Sequence, residues 1–481
     1  MKRSLPKLGF LFCALLCIGQ DTIAQEIAPE KSIGVGFQMG GRQVPFFQRI
    51  KQFGVVPVNE GNQIYAEGGL YSRRDSAFLT GQKKWSWGYG LEGRIMQGSK
   101  SYLFLPVAEV HAQWKKWELY VGRRKEIIGL IDTTQTIGAY SWSGNALPMP
   151  KIQFSTTDWV KFANGWMGFK AGLAHGWFGN QESNVTGHWL HQKWLYGRLG
   201  PRSRKWQLAA GLNHQAQWGG ELIDENSFKA LDGNLAPYPW YSYRFIVIPF
   251  LQKIVPMDVT KLPPYDRGLA IGNQLGSVDI SAEYQIGKTK RLHIYKQHPY
   301  DFARSLYTLN NLEDGLYGLS YQDGSYKIMN RLLFEFFHSK SQGRTRFGQI
   351  RDSNFGEVDN YFGHGQYGSW SYRNVLLGTP FIAFLTNENG RNYLNNRTVA
   401  YHVSIGGVVK GYRWEGTFAW IDYWGNWGYL RRITQQSAQL RVHSPWYKKD
   451  IRWTASTAFD RGTNLDREAW GWTFSVQKKW N

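Results

Sequence analysis

Residues Val399 to Trp420 read VAYHVSIGGVVKGYRWEGTFAW. Before the turn, Tyr401, Val403, Ile405 and Val409 alternate with His402, Ser404, Gly406 and Val408. After Lys410-Gly411, Tyr412, Trp414, Phe418 and Trp420 alternate with Arg413, Glu415, Thr417 and Ala419. Period two on both sides of a glycine-containing turn predicts a β-hairpin with one aliphatic-aromatic face and one polar face. In a soluble sandwich the polar face would meet bulk water. In a membrane barrel the apolar face meets lipid and the polar face a wet lumen.

The composition chooses between them. Aromatics make up 16% of the chain, with 23 Trp, 27 Tyr, 27 Phe and 54 Gly, yet the mean hydropathy is −0.45. Aromatic girdles around a polar interior combine these features. No segment beyond the leader is a continuous apolar run long enough for a transmembrane helix. The leader has a basic start (Lys2, Arg3, Lys7), an apolar run from Leu8 to Ile18 and a small-residue site at Thr22-Ile23-Ala24, which predicts a signal peptide over residues 1–24. Cys13 and Cys17 both lie within it, and Leu16 stands where a lipoprotein would carry a small residue, so the exported chain is expected to lack thiols and a lipid anchor. The other end alternates again: Trp470, Trp472, Phe474, Val476 and Trp480 against Gly471, Thr473, Ser475, Gln477 and Lys479, as a closing barrel strand would.

Further hairpins flank Lys115-Lys116, between Trp114 and Trp117, and Gly287-Lys288, after Val278, Ile280, Ala282, Tyr284 and Ile286. A tight turn framed by tryptophans suits a membrane boundary. Longer irregular stretches fall at about 132–151, 221–277 and 343–380. Arg42 to Pro57 is the one segment suggesting a short helix. Tight turns alternating with long loops predict an all-β transmembrane antiparallel barrel of roughly 16 to 18 strands, forming one domain over residues 25–481.

The formal net charge is +21; losing Lys2, Arg3, Lys7 and Asp21 with the leader leaves +19. That balance points to acidic surroundings: lipopolysaccharide phosphates or an anionic polysaccharide. No nucleic-acid module is present, and an exported barrel is not expected to bind nucleic acid.

Catalytic signals are weak. Asn213-His214-Gln215-Ala216 is similar to the His-x-Ser arrangement of barrel phospholipases, but Ala216 stands where the nucleophile would be. The 11 histidines include no His-x-x-x-His pair, and Gly363-His364-Gly365 lacks the residues of a phosphate loop, so neither a metal nor a cofactor is expected. What remains is chemistry suited to sugars, which stack on aromatic rings and pair their acid groups with arginine. The loop candidates are Trp142, Trp240, Tyr241, Arg244, Arg267, His364 and Trp370. Arg94, Glu109, Arg413 and Glu415 are expected to line the lumen.

Longer motifs add a resemblance. Gly122-Arg123-Arg124-Lys125, Gly129-Leu130, Asp132 and the run from Ser143 to Ile152 (SGNALPMPKI) resemble the capsule-assembly Wzi-like family in its Bacteroidetes-type form. So do Leu190-His191-Gln192-Lys193, His214 with Trp218-Gly219-Gly220, and Gly272 to Ser277. Asp314 to Leu319, Asp359-Asn360-Tyr361 through His364, Trp370-Ser371-Tyr372 and Gly378-Thr379-Pro380 continue the match in order. The resemblance implies an outer-membrane barrel with a small helical portion on the periplasmic side. It also implies a lectin-like, non-enzymatic role in attaching or organising capsular polysaccharide. The expectation is therefore a monomeric polysaccharide-binding barrel in contact with outer-membrane lipid and lipopolysaccharide. A diffusion channel for acidic sugars is the alternative, and a barrel lipase a third.

Overall fold

The computed structural model describes residues 31–480 except 73–77, 79–81, 181–183, 202–203, 224–228, 268–269, 302–308, 310, 326–327, 344–358, 387–388, 448–449 and 464–467. The expected signal peptide lies outside them. Eighteen antiparallel strands close into a barrel. Strands β1 to β6 are Lys31–Gly40, Gln63–Tyr71, Trp85–Gln97, Ser101–Trp114, Trp117–Arg123 and Lys151–Thr156, the last continued by Val160–Phe162. Strands β7 to β12 are Met167–Trp177, Trp189–Leu199, Trp206–Trp218, Asn273–Ile286, Lys290–Tyr300 and Gly315–Asp323. Strands β13 to β18 are Arg331–His338, Thr398–Val409, Tyr412–Tyr423, Ile433–His443, Ile451–Thr463 and Ala469–Trp480.

Each strand pairs with the next, and β1 closes the ring on β18 from Lys31↔Trp480 to Gly40↔Gly471. The Val399–Trp420 hairpin is β14–β15. Its turn residues Lys410 and Gly411 both have positive φ, at 51° and 85°, the geometry whose twist matches that of the flanking strands. Tyr401, Val403, Phe418 and Trp420 are exposed on the outer face, while His402 and Ser404 are buried inside.

The tight turns at 115–116, 287–289 and 410–411 lie at the same end as the first and last described residues. The long connections 41–62, 124–150, 219–272 and 339–397 all lie at the opposite end. Short turns mark the periplasmic side of such barrels and long loops the outside. The helical portion is small; Phe78, in the connection between β2 and β3 at the turn end, is helical. α1 (Phe46–Arg49), α2 (Pro239–Val247) and α3 (Leu251–Ile254) all belong to connections of the long-loop end. No helix among the described residues is long and apolar enough to cross a membrane.

Two of the long connections turn inward. Residues 124–150 and 359–382 pack against each other and against α1 inside the barrel, where Tyr140, Met149, Tyr361, Phe362, Trp370 and Phe381 are buried with Phe46. The wall supplies matching apolar surface: Leu190, Leu275, Leu316, Phe337, Ala400 and Ile421 face this plug. The lumen therefore changes character along its length. On β15 the inward residues Ala419, Ile421 and Tyr423 near the long loops are buried in the plug, whereas Arg413 and Glu415 near the turns line the wetter half, as expected for them. Arg94 and Glu109 also face inward, paired with Glu67 at 3.6 Å and Arg124 at 3.0 Å respectively.

Candidate functional site at the long-loop end

The plug is fixed by hydrogen bonds. Within it the Trp370 indole donates to the Ser141 carbonyl at 2.8 Å, Thr379 N to the Tyr140 carbonyl at 2.8 Å and Ser143 N to the Leu377 carbonyl at 2.9 Å. The wall reaches in with Gln297, whose Oε1 accepts from Tyr140 N at 2.8 Å, and Asp279, whose Oδ2 accepts from Leu130 N at 3.0 Å. Asp132 accepts from the Ser320 hydroxyl and, at 2.9 Å, from Gln322 Nε2. Buried polar groups so paired lock one arrangement, because each broken pair would strand a group away from water.

This settles the position of two predicted sugar contacts. Trp370 is fully buried and Trp142 nearly so, with ring centroids 6.2 Å apart. Both are plug core rather than surface platforms. An indole this large fills the interior between two inward loops, which a count of loop aromatics could not distinguish from display on the surface.

The other five predicted residues lie in the outer connections. His364 is wedged between Tyr265 and Tyr367, at 5.8 and 5.4 Å, and its Nδ1 faces the Gln366 amide at 3.2 Å. Burial, helped by Lys229, lowers its pKa to about 3, so at neutral pH it is uncharged and offers no cation to an acidic sugar. Arg267 is exposed, with Nε donating to the Leu262 carbonyl at 3.3 Å. Trp240, Tyr241 and Arg244 share α2; the Arg244 guanidinium lies 4.3 Å over the Tyr241 ring, and Tyr241 accepts from Asp258 N at 2.5 Å. These residues are not one constellation: His364 packs against the loop of Arg267, while α2 lies on the outer wall of the barrel.

Beside Arg267, Asp266 is 1% exposed and its Oδ1 lacks a hydrogen-bond partner among the described residues. Burial raises its pKa to about 7. Because the folded pKa exceeds the unfolded one, the loop is most stable below about pH 4, loses stability as pH rises towards 7 and is level above that. Asp266→Asn is expected to abolish this slope and stabilise the loop at pH 8 by on the order of a few kcal/mol. Amide exchange over residues 259–267 at pH 5 and 8, corrected for intrinsic rates, reads it out; equal pH dependence in both proteins would refute the assignment.

A cation-aromatic cluster that the residue-type reading did not single out lies at the β15–β16 loop Trp424-Gly425-Asn426-Trp427-Gly428-Tyr429-Leu430-Arg431-Arg432. Nine residues holding three aromatics and two arginines between two alternating strands were signal enough. The Asn426 side chain accepts from Gly428 N at 2.9 Å and Tyr429 N at 2.8 Å, forming a local turn. Its amide donates to the Leu394 carbonyl at 2.8 Å, and Trp424 N donates to the Arg397 carbonyl at 2.8 Å. The loop is thus clamped to the start of β14.

On this clamp, the Lys340 ammonium lies 3.5 Å over the Trp424 ring, Arg432 lies 4.7 Å over the same ring, and Arg397 lies 3.6 Å over Trp427. Tyr393 and Tyr429 meet edge to face at 4.7 Å. Asp422 supplies a counter-charge, 3.3 Å from Arg432. Partial burial lowers the pKa of Lys340, and repulsion from Arg397 and Arg432 lowers it further against the pull of Asp422. Lys340 and Arg432 can pair an acidic group while the rings take the apolar face of a sugar, whereas Arg397 is buried, its Nε donating to the Lys340 carbonyl at 3.1 Å. Among the described residues no three His, Cys, Asp or Glu side chains are placed to hold a metal ion.

Comparison with solved structures places the architecture. Wzi of Escherichia coli, described as an outer-membrane protein involved in group 1 capsule assembly and a carbohydrate-binding β-barrel, superposes with a TM-score of 0.56 at 12% identity, covering 94% of this chain and 85% of that one. The chain is an outer-membrane barrel. OccAB2 of Acinetobacter baumannii (TM-score 0.47, 9% identity, 94% and 98% covered) and OprD of Pseudomonas aeruginosa (0.43, 10%, 95% and 98%) are more distant in shape. No family model and no curated protein sequence matches the chain.

Proposed function

We propose that this outer-membrane barrel is a lectin-like protein that holds acidic capsular or exopolysaccharide at the cell surface through the Trp424–Arg432 rim. The observation that carries the reading is the rigid cluster of Lys340, Arg397 and Arg432 on Trp424 and Trp427. The Arg432 guanidinium and the Lys340 ammonium would take carboxylates or phosphates of the polymer, indoles its apolar ring faces, and repeated weak contacts would give avidity. The filled long-loop half of the lumen weighs against a diffusion channel. A binding role is also favoured over a hydrolytic one: Ala216 packs against Phe245 and Ile246, and the partner of His214 Nε2 at 3.2 Å is Gln274, an amide and not a nucleophile. The barrel would act as a monomer, with outer-leaflet lipopolysaccharide a second source of anionic groups.

Trp424→Ala combined with Arg432→Gln is expected to weaken binding to purified capsular polysaccharide about tenfold or more, the loss of one charge-assisted contact and its stacking partner. Binding by the unaltered protein should fall as salt is raised from 50 to 500 mM, conditions whose screening lengths bracket the physiological one. Cells carrying the variant should still make polysaccharide but shed it into the medium. Unchanged affinity in a variant that keeps its heat-shifted gel mobility, or binding indifferent to salt, would refute the reading.

A further inference from the structure

Part of the third long connection, residues 239–255, goes neither into the lumen nor straight out from the rim. On β9, Asn213 bonds the plug through Ser141 Oγ at 3.0 Å, so its alternate neighbours His214, Ala216 and Trp218 point outward. They are nevertheless buried, because α2 lies over them on the outside of the barrel, with Phe245 and Ile246 packed against Ala216 and Trp218. α2 starts at the rim, where Tyr243 stacks on Trp218 at 4.9 Å, and runs down the wall. Its last turn is held by outward-facing Lys193, which donates to the carbonyls of Ile246 at 3.2 Å and Val247 at 2.5 Å.

Register gives the depth of this end. Lys193 pairs with Leu173 on β7, and Leu173 is exposed on the lipid-facing wall. Two residues further down β8, Leu195 is exposed on the same face and borders a broad apolar concavity with Leu208 and Ile280. The end of α2 therefore stands level with lipid, and the chain reverses there through Ile248-Pro249-Phe250 into α3. This tip is ordered by its own hydrogen bonds, Leu251 N to the Ile248 carbonyl at 3.0 Å and Val255 N to the Leu251 carbonyl at 2.8 Å. Yet it presents apolar side chains outward, Phe250 at 61% and Ile254 at 68% exposure. A loop bathed in water gains nothing from displaying them, whereas acyl chains remove that apolar surface from water at about 25 cal/mol per Å².

We propose that residues 239–255 form an external finger whose tip, Ile248 to Ile254, is seated in the acyl zone of the outer leaflet. The finger covers Lys193 and His214, polar outward residues at a depth where the neighbouring wall is apolar, and replaces them with Ile248, Phe250 and Ile254 towards lipid. Trp240, 86% exposed at the upper end of α2, takes the headgroup level that amphipathic aromatics prefer. The finger is a lipid contact rather than a sugar platform, and it stands whether or not the rim binds polysaccharide.

The exported chain, expected to be free of cysteine, allows a direct test. Phe250→Cys and Ile254→Cys, each carrying a nitroxide, are reconstituted in bilayers of phospholipid with lipopolysaccharide in the outer-facing leaflet. Leu195→Cys serves as the lipid-facing reference and Asn392→Cys as the water-facing one; all four side chains are exposed, so folding should be unaffected. Oxygen collision rates are expected to exceed those of a water-soluble nickel chelate several-fold at 250 and 254, as at 195, with the order reversed at 392. Nickel access at the tip equal to that at 392 would overturn the proposal. So would a label shielded from both reagents, which would place another protein surface there.

Discussion

Replacing residues 127–147 by a short Gly-Ser link is expected to turn a chain that is silent in a planar bilayer into one with steady ion conductance. The strands that flank this connection are already neighbours, since Gly122 on β5 pairs with Lys151 on β6, so the barrel can close without it. What is lost is the inner layer: Tyr140 and Trp142, the Ser141 acceptor of the Trp370 indole, and the Tyr140 carbonyl that receives Thr379 N. The 359–382 segment then loses the surface it packs against. An 18-stranded barrel with no filling is wide enough for an aqueous channel. Conductance by the intact chain would sink the sealed-lumen reading and revive the channel. Silence in both, with the deleted chain folded, would mean that 359–382 seals the lumen alone.

Glu335→Ala is expected to loosen the plug by about 3–5 kcal/mol, the cost of removing one partner from a buried charged network. Glu335 is fully buried on β13. Its Oε1 accepts from Thr136 Oγ1 at 2.5 Å and the Tyr295 hydroxyl at 2.7 Å. Its Oε2 meets His402 Nδ1 at 2.9 Å and Ile137 N at 3.4 Å. One carboxylate thus ties the plug to three wall strands, and its loss leaves four polar groups to satisfy in a dry interior. Glu335→Gln keeps the acceptor oxygen and should cost less, about 1–3 kcal/mol. Urea titration followed by amide exchange over residues 127–147 separates plug loosening from barrel unfolding. A change below about 1 kcal/mol for the alanine variant would show that the plug holds by apolar packing alone.

The sugar-site candidates show where reading by residue type runs out. Trp142, Trp240 and Trp370 are all loop tryptophans in sequence, yet two are plug core and one stands exposed on the outer wall. Nothing local separates them, because Trp142 and Trp370 meet across more than 200 residues of chain, as do Ser143 and Leu377. The Trp424–Arg432 loop was legible in composition, but its strength as a cation cluster comes from Lys340 and Arg397, contributed by other connections. His364 looked like a polar contact and proves to be a neutral packing residue, because burial depends on the loops folded over it.

Period-two alternation, the tight turns at Lys115-Lys116 and Lys410-Gly411, and the aromatic closing strand are short-range properties, each set by the pleat and by backbone sterics at a few residues. The sequence by itself therefore determined an antiparallel barrel, its lipid-facing side and its approximate strand number. Tertiary structure alone decided which long connections go inward, outward or down the wall, because that choice depends on surfaces far apart in sequence: the apolar inward residues Ala400, Ala419 and Ile421 that receive the plug, and the outward Lys193 that holds α2 against the outer wall of the barrel. Those non-local pairings fill the long-loop half of the lumen, which no strand pattern foretells.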